Sequence, residues 1–140
     1  MLGKLETIAR SGQGDDFAAL VGGVEYTFYG IRGSNTDLGL LAEYLYDDRD
    51  QTAPLTALDD DIFVGARFTL NDPDDTNILA GAIVDPEDGE TVALIEAQRR
   101  FGERWKLEAE LRLLTNISDK GRLFGIERDS YLTLCAAWYF

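Results

Sequence analysis

Apolar and polar residues alternate along most of the chain with a period of two, not with the 3.6-residue period of a helix. Alternation delimits eight segments, at about residues 2–10, 17–29, 37–47, 61–71, 76–85, 91–101, 104–115 and 130–140. The residues between these segments are rich in Gly, Asp, Asn, Ser and Pro, which favour turns. The pattern predicts a single all-β domain over residues 1–140, in which each strand turns back antiparallel to the one before.

The predicted strands are long for a water-soluble sheet. They run to about 9 to 13 residues, whereas strands of globular proteins are usually about 5 to 6 residues long. A tilted strand needs about 9 to 11 residues to cross the hydrocarbon core of a bilayer. Strand length therefore favours a transmembrane barrel.

The two faces of the predicted strands differ sharply in charge. The residues assigned to one face include no charged side chain, while the other face holds six acidic and six basic side chains. An unpaired charge in an enclosed interior costs several kcal/mol, so a balanced set is what a closed lumen requires. We therefore predict a lumen charge network formed by Lys4, Glu6, Arg10, Glu25, Glu43, Arg67, Glu96, Arg100, Lys106, Glu108, Glu110 and Arg112.

Aromatic residues of the uncharged face gather toward the strand ends, as they do in the girdles that flank the apolar band of membrane barrels. The predicted girdle consists of Tyr26, Phe28, Tyr44, Tyr46, Phe68, Trp105, Trp138 and Phe140. The uncharged face is then expected to contact lipid. The alternative is a soluble, lipocalin-like ligand-binding barrel with the same face turned inward and the charges in water.

Composition excludes several classes of function. The chain has 13 Lys and Arg against 26 Asp and Glu, a net charge of −13, which disfavours binding to nucleic acid. It has no His, the commonest general base and transition-metal ligand, and a single cysteine, Cys135, expected to be a buried thiol on the charged face. We predict no catalytic residues, no metal site and no cofactor. The acidic connections indicate solvated loops, with lipopolysaccharide, bridged through divalent cations, as a candidate partner.

The last ten residues carry a resemblance to a known class. Leu134, Ala136 and Trp138 alternate along the final strand and the chain ends on Phe140, a pattern similar to the C-terminal assembly signal of bacterial outer-membrane β-barrels. With the other seven strands, the whole chain resembles the small eight-stranded class of outer-membrane proteins A and X. Its beginning inside a strand is also typical of an excised or engineered C-terminal unit of a larger outer-membrane protein.

The resemblance implies a closed, antiparallel, up-and-down, eight-stranded transmembrane barrel in the bacterial outer membrane, with a salt-bridged lumen. Both termini would be periplasmic, which places the two longest connections, residues 48–60 and 116–129, on the outer side. The implied partners are the lipid bilayer, or detergent, and the outer-membrane barrel assembly machinery. The expected function is a structural or scaffold role without catalysis. A narrow pore or a loop-presenting adhesion module is the alternative of the same fold.

Overall fold

The computed structural model describes residues 1–12, 16–49, 59–119 and 123–140, and it is all-β apart from two short 3-10 turns. The strands are β1 (Leu2–Arg10), β2 (Phe17–Phe28), β3 (Asp37–Asp47), β4 (Asp60–Thr69), β5 (Asn77–Val84), β6 (Thr91–Phe101), β7 (Trp105–Thr115) and β8 (Tyr131–Trp138). The 3-10 turns span Ile31–Gly33 and Phe124–Ile126. No helix among the described residues has the length and hydropathy needed to cross a membrane.

The eight strands form one sheet in sequence order, and every neighbouring pair is antiparallel. The predicted up-and-down meander is therefore confirmed, and each strand begins and ends within two residues of its predicted segment. Within the described residues, β1 and β8 are not paired with each other and form the two edges of the sheet. All nine residues of β1 and seven of the eight in β8 are exposed.

The two edges are displaced from each other along the strand direction. A row of paired residues that starts at Leu5 in β1 ends at Thr115, the last residue of β7, and does not reach β8. Its members are Leu5, Gly22, Tyr44, Ile62, Val84, Thr91 and Thr115. A stagger of this kind is characteristic of sheets whose strands tilt, as barrel strands do.

The connections lie at two opposite ends of the sheet because the strands alternate in direction. Three connections, 29–36, 70–76 and 102–104, lie at one end, which we call the short-turn end. The other four lie at the long-loop end, where residues 13–15, 50–58 and 120–122 fall outside the described ranges. The two longest predicted connections, 48–60 and 116–129, are both at the long-loop end, and part of each is therefore not described.

Asp72 organises the turn between β4 and β5. Its carboxylate accepts hydrogen bonds from the Thr76 amide and from the Thr76 hydroxyl, each at 2.8 Å, and the Arg99 guanidinium lies 3.8 Å away. These interactions, led by the amide hydrogen bond, favour the ionised carboxylate and lower the pKa of Asp72 from its usual 3.8. Arg99 also binds Asp74 at 2.7 Å, which ties the start of the turn to the end of β6.

Candidate functional site

The uncharged face is the more exposed face of the sheet, and within the strands it carries charge only near their ends, at Asp60 in β4 and Arg99 in β6. Some large apolar side chains of this face in β2 to β7, such as Phe68 and Leu111, are half-buried, and fourteen others retain between 37% (Ile78) and 50% (Tyr26) of their accessible area. They follow one another across the whole sheet: Val24, Tyr26, Phe28, Leu40, Tyr44, Tyr46, Ile62, Val64, Ile78, Ile95, Phe101, Trp105, Leu107 and Leu113. A contiguous apolar surface of this extent is unusual for a soluble monomer.

Apolar side chains also occupy part of the charged face, and the sequence analysis did not single them out. The face of Glu43 and Arg67 also carries Val21, Leu41, Leu45, Phe63, Leu79, Ile83, Val92, Leu94 and Leu114. Every one of them is half-buried or buried, and Leu41 retains only 9% of its area. This interior is therefore partly a small apolar core and only partly a charge network.

The Phe63 ring lies across two glycines at the centre of this interior face. Gly65 and Gly81 are directly opposite each other on β4 and β5. A Cβ at Gly81 would come within 2.6 Å of Phe63 Cε2 and 2.8 Å of the Val64 carbonyl oxygen, and one at Gly65 within 2.7 Å of Phe63 Cζ. These distances are far inside van der Waals contact, so the ring can occupy this position only because both glycines lack a side chain.

Eight of the twelve predicted lumen residues form ion pairs. Two pairs bridge strands and two lie along β7: Lys4–Glu43 (3.9 Å), Arg67–Glu25 (3.4 Å), Lys106–Glu108 (2.7 Å) and Arg112–Glu110 (3.2 Å). The Arg67–Glu25 pair passes beside Gly39, where a Cβ would lie 3.4 Å from Glu25 Oε1 and 3.7 Å from Arg67 Cβ. The structure thus brings the predicted side chains to one face and pairs most of them.

The other four predicted lumen residues have no ion pair within the described part of the chain: Glu6, Arg10, Glu96 and Arg100. Arg100 lies over the Tyr139 ring, 5.8 Å from its centroid. Glu6 and Arg10 lie on β1, at the open edge.

Two carboxylates face each other on the interior side of β6 and β7. Glu96 is directly opposite Glu110, a like-charge arrangement that destabilises a sheet unless a cation compensates it. Glu110 receives a hydrogen bond from the Tyr131 hydroxyl at 2.6 Å in addition to its pair with Arg112. A cavity of about 490 Å³ adjoins these groups and is lined on its other sides by Arg67 and by residues of β5, β6 and β8.

The eight predicted girdle residues lie at both ends of the strands, but unequally. Tyr44 and Tyr46 lie at the long-loop end, where the Tyr44 hydroxyl donates a hydrogen bond to Asp60. The other six lie toward the short-turn end: Tyr26, Phe28, Phe68, Trp105, Trp138 and Phe140. Their rings cluster, with centroids 4.8 Å apart for Tyr26 and Phe28, 6.3 Å for Trp105 and Trp138, and 5.8 Å for Trp138 and Phe140. Phe68 is half-buried, and the other seven are exposed.

The residues of the predicted assembly signal lie along the open β8 edge. Leu134, Ala136, Trp138 and Phe140 are all exposed, Leu134 to 73%. The Tyr139 amide donates to the Arg104 carbonyl at 2.8 Å, which extends the pairing with the β6–β7 turn beyond Trp138. The expectation that Cys135 is buried is wrong, because β8 has no neighbour on its outer edge and leaves the thiol exposed.

Acidic groups concentrate at the long-loop end, and two of them are buried. Asp61 lies on the interior face of β4 and accepts a hydrogen bond from the Asp59 amide at 3.0 Å. Glu90 accepts one from the Ser118 amide at 2.9 Å and so joins two connections. Across the described ranges, no three acidic or cysteine side chains are placed to hold a metal ion.

No protein-family model, no curated protein and no solved structure matches this chain.

Proposed function

We propose that the chain is an integral outer-membrane β-barrel with a structural or scaffold role and no catalytic activity. The observation that carries this proposal is the continuous exposed apolar face, which is opposed by an interior face of ion pairs and packed apolar side chains. In lipid, the exposed face is the favourable one and the charges must be turned away from the hydrocarbon.

The surface area of the chain supports a lipid environment. A compact soluble protein of 15.5 kDa exposes about 7,200 Å². This chain, with β1 and β8 as open edges, exposes 9753 Å², and within the described residues only Leu41 and Leu123 are buried apolar side chains. A soluble lipocalin-like barrel would need its large apolar residues inside, whereas most of those in this sheet lie on the exposed face.

Most strands are long enough, once tilted, to match the thickness of a membrane: six have 9 to 12 residues, and β5 and β8 have 8. An 11-residue strand such as β7 is about 36 Å long, and a tilt of about 41° leaves about 27 Å along the membrane normal. The outward apolar band of outer-membrane barrels is about 25 Å tall. The aromatic residues at both strand ends then fall at the two interfaces, with the larger number at the short-turn end.

Closure of the sheet is part of this proposal. Backbone groups that lack hydrogen-bond partners cost several kcal/mol each in hydrocarbon, so β1 and β8 cannot remain open edges in a bilayer. A closed eight-stranded barrel is just wide enough for its side chains to fill. Ion pairs, Phe63 and the neighbouring apolar side chains would fill it here, which favours a structural role over an open channel.

Refolding tests the proposal. The purified chain should need detergent to remain soluble after dilution from denaturant, and the folded form should migrate differently from the boiled form on a gel. A chain that folds and stays monomeric in buffer without detergent, with identical migration before and after boiling, would contradict a membrane barrel. It would favour the soluble alternative.

A further inference from the structure

The two edge strands have complementary interior side chains. We propose that β1 pairs with β8 in the register that places Ile8 opposite Cys135, Glu6 opposite Ala137 and Arg10 opposite Thr133. This inference rests on the closed barrel of the proposed function. Each edge strand of the sheet would thus pair with the other edge strand of the same chain.

Barrel geometry restricts the possible registers. The row of paired residues from Leu5 ends at Thr115 in β7. Arg112 is paired with Tyr131 in the antiparallel β7–β8 pair, so extending that register by three residues would place Thr115 opposite position 128. We define the stagger as the number of residues between position 128 and the residue of β8 that would lie opposite Leu5 once β1 and β8 are paired. It must be even, because the charged faces of β1 and β8 have to coincide. With about 3.3 Å per residue and about 4.8 Å between strands, staggers of 8 and 10 residues give tilts of about 35° and 41°.

Other staggers give tilts further from the middle of the range found in barrels. Staggers of 6 and 12 residues would give about 27° and 46°, whereas barrel strands usually tilt by 35–45°. The 8-residue stagger pairs Glu6 with Cys135, and the 10-residue stagger pairs Ile8 with Cys135. These two registers are the candidates.

The 8-residue stagger brings like charges together. Lys4 would lie opposite Ala137, whose other neighbour is Lys106, and Glu6 opposite Cys135, whose other neighbour is Glu108. Arg10 would lie opposite Tyr131, whose other neighbour is Arg112. All three charged side chains of β1 would meet a charge of their own sign in a narrow interior, which is unfavourable.

The 10-residue stagger brings opposite charges together at two of the three charged positions of β1, whereas the third, Lys4, would lie opposite Tyr139, whose other neighbour is Arg104. Glu6 lies opposite Ala137 and can reach past its methyl group to Lys106. Arg10 lies opposite Thr133, whose other neighbour is Glu110. Both intervening side chains are small, so a long Glu or Arg can reach across them. Charge complementarity therefore selects this register.

The same register brings a second cation to the facing carboxylates, of which Glu110 already pairs with Arg112 and Glu96 has no ion pair within the described residues. Glu96, Glu110 and Thr133 lie in one cross-strand row along the 490 Å³ cavity, and Arg10 would continue that row from the other edge. Glu6 and Arg10, which have no ion pair in the described open sheet, would then both have partners.

Disulfide formation with the native Cys135 tests the register. Residues directly opposite each other have Cα atoms about 4.5 to 5.5 Å apart, within the range a disulfide spans, whereas a shift of two residues exceeds it. In detergent-refolded protein under mild oxidation, Ile8→Cys should lose both free thiols and remain monomeric. Glu6→Cys, the matched variant for the 8-residue stagger, should keep its thiols.

Cysteine pairs on the uncharged face test the same register independently of the Ile8 and Glu6 variants. In a Cys135→Ser background, Thr7→Cys with Ala136→Cys should cross-link, because the two positions are opposite in the proposed register. Thr7→Cys with Leu134→Cys, which would be opposite under the 8-residue stagger, should not cross-link.

Each other outcome overturns the proposal. Preferential cross-linking of Glu6→Cys, or of the Leu134 pair, would establish the other register. Cross-linked dimers would show that a second copy occupies the edges, and no cross-link in any variant would show that the edges meet in neither of these two registers. Heat-modifiable migration is recorded on the same samples, so a wrong register in a detergent-dependent barrel is distinguished from the absence of a membrane barrel.

Discussion

An arginine at position 95 measures whether the exposed apolar face lies in lipid. Ile95 is one residue from the midpoint of β6, on the uncharged face, and retains 44% of its area. With the strand centred in the bilayer and tilted by about 41°, its Cα lies about 2.5 Å from the midplane. At that depth an outward Arg costs about 2 to 4 kcal/mol, which reduces the folding equilibrium constant about 30- to 700-fold.

Phe101→Arg is the matched control, because Phe101 lies on the same strand and the same face but at its end. It is 50% exposed, similar to Ile95, yet an Arg at the interface costs only about 0 to 1 kcal/mol. Both variants and the parent are folded into phosphatidylcholine vesicles and unfolded with guanidinium, with tryptophan fluorescence as the readout. Equal costs within about 0.5 kcal/mol for both variants would refute the reasoning, because side chains in water tolerate such changes.

Three further predictions concern the interior and the short-turn end. In a closed barrel, Arg67→Ala should cost about 3 to 5 kcal/mol in the same unfolding assay because it leaves Glu25 buried and unpaired, and a loss under about 1 kcal/mol would indicate an exposed pair in an open sheet. Gly81→Ala should cost about 1 to 3 kcal/mol, part of which Phe63→Leu should restore, and equal stability of parent and single variant would contradict the ring placement. Because its folded pKa is lowered, Asp72 contributes stability above pH 3.8 that is lost as the pH falls through the folded value. NMR titration of the carboxyl should place that value below 3.8, and one at or above 3.8 would contradict the turn structure.

Strand boundaries and faces could be predicted from the sequence because alternation is a local property. Side chains at successive positions point to opposite sides of a strand, so a run such as Trp105 to Leu113 reveals its two faces without any tertiary information. The turn residues between the runs then define the meander. These local signals were sufficient to predict the eight strands and to place the twelve charged residues of the predicted lumen network on one face of the sheet.

Pairing between side chains could not be predicted, because it depends on the register between strands. Nothing in the sequence near Arg67 indicates that Glu25, two strands away, is its partner across Gly39. The position of the Phe63 ring over Gly65 and Gly81 likewise depends on which residues of β4 and β5 are opposite. The two glycines, each in a strand of large side chains, were the available signal, because such glycines often mark a close approach.

The exposure of Cys135 shows the same limit at the edge of the sheet. Its face follows from alternation, and Cys135 does lie on the side of Glu108. Its burial depends on whether another strand covers β8, which is a long-range property that a local pattern does not contain.

Quenching of Trp105 and Trp138 by brominated lipids tests the lipid contact of the uncharged face most directly. These are the two tryptophans of the chain, both on the exposed face, with ring centroids 6.3 Å apart at the short-turn end. In vesicles, bromine near the glycerol end of the acyl chains should quench their fluorescence strongly, and bromine near the terminal methyl group should quench it less, because interfacial aromatics lie at the headgroup level. Fluorescence that no brominated lipid reduces, but that aqueous iodide quenches fully, would place this face in water and contradict a membrane barrel.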